Sequence, residues 1–227
     1  MKLIFIHGSA GYGGLWHKQT AHFHDSEAIT LPGHPDGEPL DALDAIIDWL
    51  HSYFSSRNYR EIVLCGHSLG GGLAMAYALE HPKCITGLVL ADATARTGMP
   101  KGFHRDPEGY VSDVNGYLIR LKEHFRRMPP HERDIIIMRM LAVGTAGRLA
   151  DMTAMKDFDV TSRLGEIKAP VKIITGSDDM TPATYFEQLA AGVPRADWTV
   201  IQGAGHYPML DRPDEFNRAL AEFLGSL

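Results

Sequence analysis

The sequence predicts an α/β fold, a doubly wound and mostly parallel six-stranded sheet carrying one helical insertion. Three observations lead there. Short runs rich in β-formers recur at 2–6, 27–30, 61–65, 86–90, 171–175 and 198–201. Most are apolar throughout rather than alternating, the pattern of strands buried on both faces of a parallel sheet. Between them lie segments with apolar residues at helical spacing, so strand and helix alternate. The alternation breaks once, because 93–169 contains no strand-like run but several helical ones.

Taken in order, Leu3-Ile4-Phe5-Ile6 stops at His7-Gly8 with only Lys2 before it, too short for a secretory leader. It is the expected first core strand, and the protein is expected to be cytoplasmic. A second strand at 27–30 leads to a helix over 40–54, where Leu43, Ile46, Ile47, Leu50 and Phe54 share one face. The third strand runs into Gly66 and then an Ala-, Leu- and Met-rich helix over 68–80, and the fourth ends before Asp92. The insertion holds helical stretches near 112–127, 131–142 and 145–155, with Pro129-Pro130 separating the first two. Strands at 171–175 and 198–201 then alternate with helices near 185–191 and 215–224. The expected division is a core of 1–92 and 170–227 with a cap of 93–169.

Composition narrows the function. With 227 residues, 44% hydrophobic and 22% charged, the chain fits one folded domain with an insertion, and it contains no run of about 20 apolar residues that could span a membrane. A net charge of −6 disfavours a general nucleic-acid binder, which needs a Lys/Arg excess. A small neutral or weakly charged substrate is the simpler expectation. Charge is uneven, though: 93–169 holds 13 Lys/Arg against 10 Asp/Glu, so the cap is +3 and the remainder −9. That difference fits either a solvated surface or a cap that steers an anion. Cys65 and Cys84 fall at opposite ends of neighbouring strands and are not expected to pair. The 12 histidines show no zinc-site spacing, and no metal or organic cofactor is called for.

The chemistry is concentrated in three turns. Gly66-His67-Ser68-Leu69-Gly70 places a G-x-S-x-G pattern between a buried strand and a helix. Such a turn needs small residues for close backbone approach, and it holds Ser68 Oγ out above the strand ends as a nucleophile. A serine hydroxyl needs a base, and the base an orienting carboxylate. Gly203-Ala204-Gly205-His206 offers His206 as the base, while His67, beside the nucleophile but directed away from it, is expected to be packing support. The carboxylate is expected after the fifth strand, in Gly176-Ser177-Asp178-Asp179-Met180-Thr181-Pro182, with Asp178 preferred over Asp179 and Asp92 a third candidate. An oxyanion hole is expected from the backbone N–H groups of Ser9, in the loop after the first strand, and Leu69, at the start of the helix.

Taken together, His7-Gly8-Ser9, Leu31-Pro32-Gly33-His34, Gly66-His67-Ser68-Leu69-Gly70-Gly71 and Gly203-Ala204-Gly205-His206 resemble the α/β-hydrolase family along nearly the whole chain. The resemblance implies a serine carboxylesterase with a Ser68-His206-Asp178 triad, acting on a small-molecule ester without a cofactor. In the family the acid usually stands four residues before a Pro, which is Asp178 here, and three after a Gly, which is Asp179; this loop is one residue shorter than the pattern. Members commonly begin with an antiparallel hairpin for which there is no chain here, so six strands are expected. Tyr12, Met99, Phe103, Tyr117 and Met140 are candidates for the pocket lining. Other outcomes on the same residues are carbon–carbon bond hydrolysis, a hydroxynitrile-lyase-like reaction, peracid formation, or a ligand receptor without turnover.

Overall fold

The computed structural model describes residues 1–98 and 101–227. Six strands, β1 (Lys2–Ile6), β2 (Ser26–Ile29), β3 (Ile62–His67), β4 (Ile85–Ala91), β5 (Val171–Gly176) and β6 (Ala196–Ile201), form one sheet in the order β2-β1-β3-β4-β5-β6. Every neighbouring pair is parallel. The sheet is therefore fully parallel rather than mostly so. Alternate strand residues feed two cores, as the pleat requires. Ile4, Ile6, Leu64, Leu88, Leu90 and Ile173 face one, while Phe5, Val63, Cys65, Val89 and Ile174 face the other. At the edges the burial changes: β3 and β5 are buried along their length, whereas β2 and β6 are partly exposed. Exposure also explains why 198–201 understates β6, whose first residues include Asp197.

The helices are α1 (His17–His22), α2 (Leu43–Ser56), α3 (Leu69–Glu80), α4 (Lys101–Arg105), α5 (Pro107–Ser112), α6 (Val114–His124), α7 (Pro130–Ala142), α8 (Gly144–Met155), α9 (Ala183–Gly192), α10 (Pro208–Asp211) and α11 (Pro213–Leu224). Helix α2 buries the Ile46, Ile47, Leu50 and Phe54 face against the first core, and α11 buries Phe216, Ala219, Leu220 and Phe223 against the second. Helix α3 is buried nearly all round, consistent with its lack of a polar face. Helices α4 to α8 all fall between β4 and β5. Four short helices, α1, α4, α5 and α10, escape the apolar pattern. In α1 the buried residue is Gln19, whose amide donates to Met209 O and Asn217 Oδ1 at 3.0 Å each. The stretch expected as one helix from 112 breaks at Asp113, whose side chain accepts from Gly116 N and starts α6 afresh.

The connection from β1 runs outward to β2, while β3 lies on the opposite side of β1. Loops leaving the carboxyl ends of β1 and β3 therefore part company there and leave a crevice, the usual ligand position in an open parallel sheet. Both cysteine thiols are free. Among the described residues, no helix is long and apolar enough to cross a membrane.

Candidate active site

Ser68 follows β3 and is the N-cap of α3, with φ 51° and ψ −115°. Positive φ costs a residue with a Cβ roughly 1–3 kcal/mol and persists only when its surroundings enforce it. Here the enforcement is backbone crowding. A Cβ on Gly66 would sit 2.2 Å from Gly70 O, and one on Gly70 would sit 2.5 Å from Ile6 O, so the strand end, the helix start and β1 meet without room for side chains. Ser68 N–H donates to Ala91 O at 2.9 Å, which ties the turn to β4. Ser68 lines a pocket of about 580 Å³ shared with Ser9, Leu69, Asp179 and His206.

The loops after β5 and β6 are laced together before they present their side chains. Ser177 N–H donates to Ile201 O at 3.0 Å and Asp178 N–H to Ala204 O at 2.9 Å, while Gly205 N–H donates to the buried Asp211 carboxylate at 2.8 Å. His67, wholly buried, donates from Nε2 to His206 O at 2.6 Å and so fixes the backbone of the histidine loop, the supporting part expected of it. This lacing aligns His206 Nδ1 with Asp179 Oδ2 at 2.9 Å. The other Asp179 oxygen accepts from Thr181 N at 3.0 Å. Burial opposes ionisation of Asp179, but the hydrogen bond and charge of His206, then the contact with Asp92 and the Thr181 amide, outweigh it and hold the carboxyl below its ordinary range.

The preference for Asp178 is corrected by this geometry. Asp178 points outward, pairs with Arg127 Nη2 at 2.6 Å and accepts from Ser177 Oγ at 2.8 Å. The two residues sit in a turn closed by Asp179 N–H on Gly176 O at 3.4 Å; with Asp178 N–H held on Ala204 O, it is the Asp179 carboxylate that reaches His206. Arg127 also lies 3.8 Å from Asp211, so Asp178 belongs to an ion pair joining the helical insertion to the core.

Asp92, the third candidate, lies behind Asp179 with its own φ at 43°. Its Oδ1 accepts from Gly176 N at 3.1 Å, and its buried Oδ2 faces no donor. Burial, followed by the charge of Asp179 and a hydrogen bond to it, pushes the Asp92 carboxyl well above the carboxylate range, against the Gly176 amide. Protonated, Oδ2 becomes a donor to Asp179. Asp92, Asp179 and His206 also form a trio whose ligand atoms lie within 4.8 Å of one another, but Asp179 and His206 are spent on each other and the Asp92 carboxyl is pushed toward its neutral form, which suits a hydrogen-bond relay better than a cation. A group whose folded pKa is raised loses stability for the fold as pH climbs from the unfolded value of about 3.9 toward the folded one. Asp92→Asn keeps a donor toward Asp179 and cannot ionise. It melts above wild type at pH 7, and the gap closes as pH falls toward about 4, in thermal melts across that range.

Ser9 and Leu69 flank Ser68 on the pocket wall. Leu69 opens α3, where the first amides have no intrahelical acceptor. The loop of Ser9 is pinned from the insertion. Asp151 of α8, buried, accepts from Ser9 Oγ at 3.0 Å, Ala10 N at 2.7 Å and His34 Nε2 at 3.1 Å. His34 also donates from Nδ1 to Pro32 O, and although burial works against its charge, Asp151 raises its pKa. Both ring nitrogens thus act as donors, and the pair is a buried imidazolium carboxylate. No motif announced Asp151, since its partners lie over a hundred residues away.

Of the expected lining residues, Tyr117 and Met140 face the pocket. Tyr12 instead packs beside Gly14, and Phe103 is buried against Tyr110 between α4 and α5. Met99 lies outside the described residues. The sequence reading passed over Arg120, His124, Arg148 and Met155, which also line the pocket. His124, the last residue of α6, is pushed down to about 4 by burial and then by His206, so it stays neutral.

The alpha/beta hydrolase family matches residues 3–219. The chain belongs to that family. Among curated relatives, this alpha/beta hydrolase is 27% identical to the pimeloyl-[acyl-carrier protein] methyl ester esterase of Nitrosomonas europaea, over 94% of the chain and 92% of the relative. It is 30% identical to a 2-hydroxy-6-oxononadienedioate/2-hydroxy-6-oxononatrienedioate hydrolase of Cupriavidus pinatubonensis, over 72% of the chain and 62% of the relative. Among solved structures, the enol-lactonase of Burkholderia xenovorans superposes with a TM-score of 0.90 at 18% identity, covering 99% of this chain and 91% of that one, a likeness of fold.

Proposed function

We propose that this hydrolase cleaves carboxylic esters through an acyl-enzyme on Ser68. The reading rests on one arrangement: a strained Ser68 at the mouth of α3 shares a pocket with a histidine whose far nitrogen is bound to a buried carboxylate. Ser68 Oγ attacks the carbonyl, and His206 takes the proton through Nε2. Asp179 accepts from Nδ1, which sets the tautomer and stabilises the imidazolium. The amides of Ser9 and Leu69 receive the developing oxyanion, and removing one such donor typically costs about 10²–10³ in kcat. His206 then protonates the leaving alcohol and activates water for deacylation. Residues 93–169 act as a cap that closes this pocket from above, contributing Tyr117, Met140 and Met155 to its wall.

A fluorophosphonate probe followed by peptide mapping, together with p-nitrophenyl esters of rising acyl length, tests the reading. Label at Ser68 and turnover of short esters are expected; an unlabelled Ser68 defeats it. Carbon–carbon bond hydrolysis on the same three residues is the second reading, favoured by the 30% identical relative that hydrolyses an oxo-dienedioate. Label at Ser68 with no ester turned over would select it.

A further inference from the structure

The pocket holds a positive charge that the protein does not balance. Arg148, on α8, is 6% exposed, and among the described residues its guanidinium makes no hydrogen bond and no ion pair. It stacks on the ring of Tyr117, whose centroid lies 3.8 Å from Cζ. Stacking occupies the face of the guanidinium and leaves the N–H donors along its edge unspent. Tyr117 OH, also buried, has no partner either.

The other charged groups around the pocket do not supply the missing anion: Asp113, whose charge favours ionised Arg148, is exposed, accepts from Gly116 N at 2.8 Å and makes no ion pair with it. Asp151, one turn along α8, is committed through Oδ2 to Ser9, Ala10 and the His34 imidazolium, and Asp179 is committed to His206. Arg120 adds a second positive charge to the wall, with Cζ 5.3 Å from the Tyr110 ring centroid. Burying a guanidinium is costly unless something pairs with it, and an Arg edge beside a hydroxyl donor is the geometry that receives a carboxylate. Burial does lower the Arg148 pKa, but from so high a value that the group stays charged at neutral pH.

We infer that Arg148 and Tyr117 form a carboxylate subsite, so that the ester cleaved at Ser68 carries a free carboxylate. The inference rests on the ester-hydrolase reading for the reaction, but not for the binding. It also replaces the sequence expectation of a neutral or weakly charged substrate, and it places two of the cap's positive charges, Arg148 and Arg120, on the pocket wall.

Two sets of ester pairs test it, read as kcat/KM for wild type, Arg148→Met and Arg148→Lys. Monomethyl esters of dicarboxylic acids from succinate to suberate, against methyl esters of the matching monocarboxylic acids, place the carboxylate on the acyl side. Carboxyphenyl butyrate against phenyl butyrate places it on the alcohol side. One carboxylate ester should exceed its neutral counterpart by at least about tenfold, the scale of a charge-assisted hydrogen bond. Arg148→Met should abolish that ratio, and Arg148→Lys, which keeps the charge but not the fork, should retain part of it. If neutral esters are turned over with Ser68 labelled, but neither carboxylate set is preferred or Arg148→Met lowers both members of a pair equally, the subsite falls and the hydrolase reading stands. Calorimetry of Ser68→Ala with adipate gives the converse: binding that Arg148→Met removes supports the subsite even if no ester is hydrolysed. Without carboxylate present, Arg148→Met should melt no lower than wild type, because it removes an unpaired buried charge. A fall of several degrees would make Arg148 a structural residue and overturn the inference.

Discussion

Ser68→Ala lowers kcat on the best p-nitrophenyl ester by about 10⁶-fold, the scale seen when a serine nucleophile is removed from an otherwise intact site. The loss is chemical rather than structural, since alanine keeps the Cβ and the same backbone at φ 51°. Ser68→Gly makes the same point from the other side. It is equally inactive, but it relieves the strained position and is more stable than Ser68→Ala by roughly 1–2 kcal/mol in urea unfolding. The turn therefore holds its serine against the preference of the chain, enforced by the close backbone approach at Gly66 and Gly70. Turnover by Ser68→Ala within tenfold of wild type would show that another group carries the reaction.

The parts of the site that sequence made legible were those whose chemistry is local. A buried apolar strand followed by glycines and a helix specifies the position of Ser68 with few alternatives, and the observed β3 and α3 boundaries fall within two residues of the expected ones. His206 is similarly announced by the glycines around it. What stayed hidden depends on contacts between distant segments. Asp151 reaches the β1 loop from the insertion, and Arg148 matters because of carboxylates that are committed elsewhere, a fact no stretch of sequence carries. Helix α1 escapes the pattern for a different reason: it buries a hydrogen-bonded Gln19 rather than an apolar stripe, so there is no periodicity to find.

The choice between the adjacent aspartates is the sharpest case, and it yields the second large effect. Asp179→Asn lowers kcat by on the order of 10³- to 10⁴-fold with little change in KM. An amide in place of Oδ2 either turns a donor toward His206 Nδ1–H or accepts without charge, so the imidazole loses its fixed tautomer and the imidazolium its counter-ion. Asp178→Asn changes kcat by no more than a few-fold, because its exposed carboxylate meets Arg127 and Ser177 and is away from the imidazole. The two variants differ by one position and one atom each, which makes their ratio a direct reading of the register set by Asp178 N–H on Ala204 O. Steady-state kinetics on a single ester suffice. Equal losses in both, or the greater loss at Asp178, would mean that the β5 loop rearranges when substrate enters, and that the hydrogen bond from His206 to Asp179 is not the one used in the reaction.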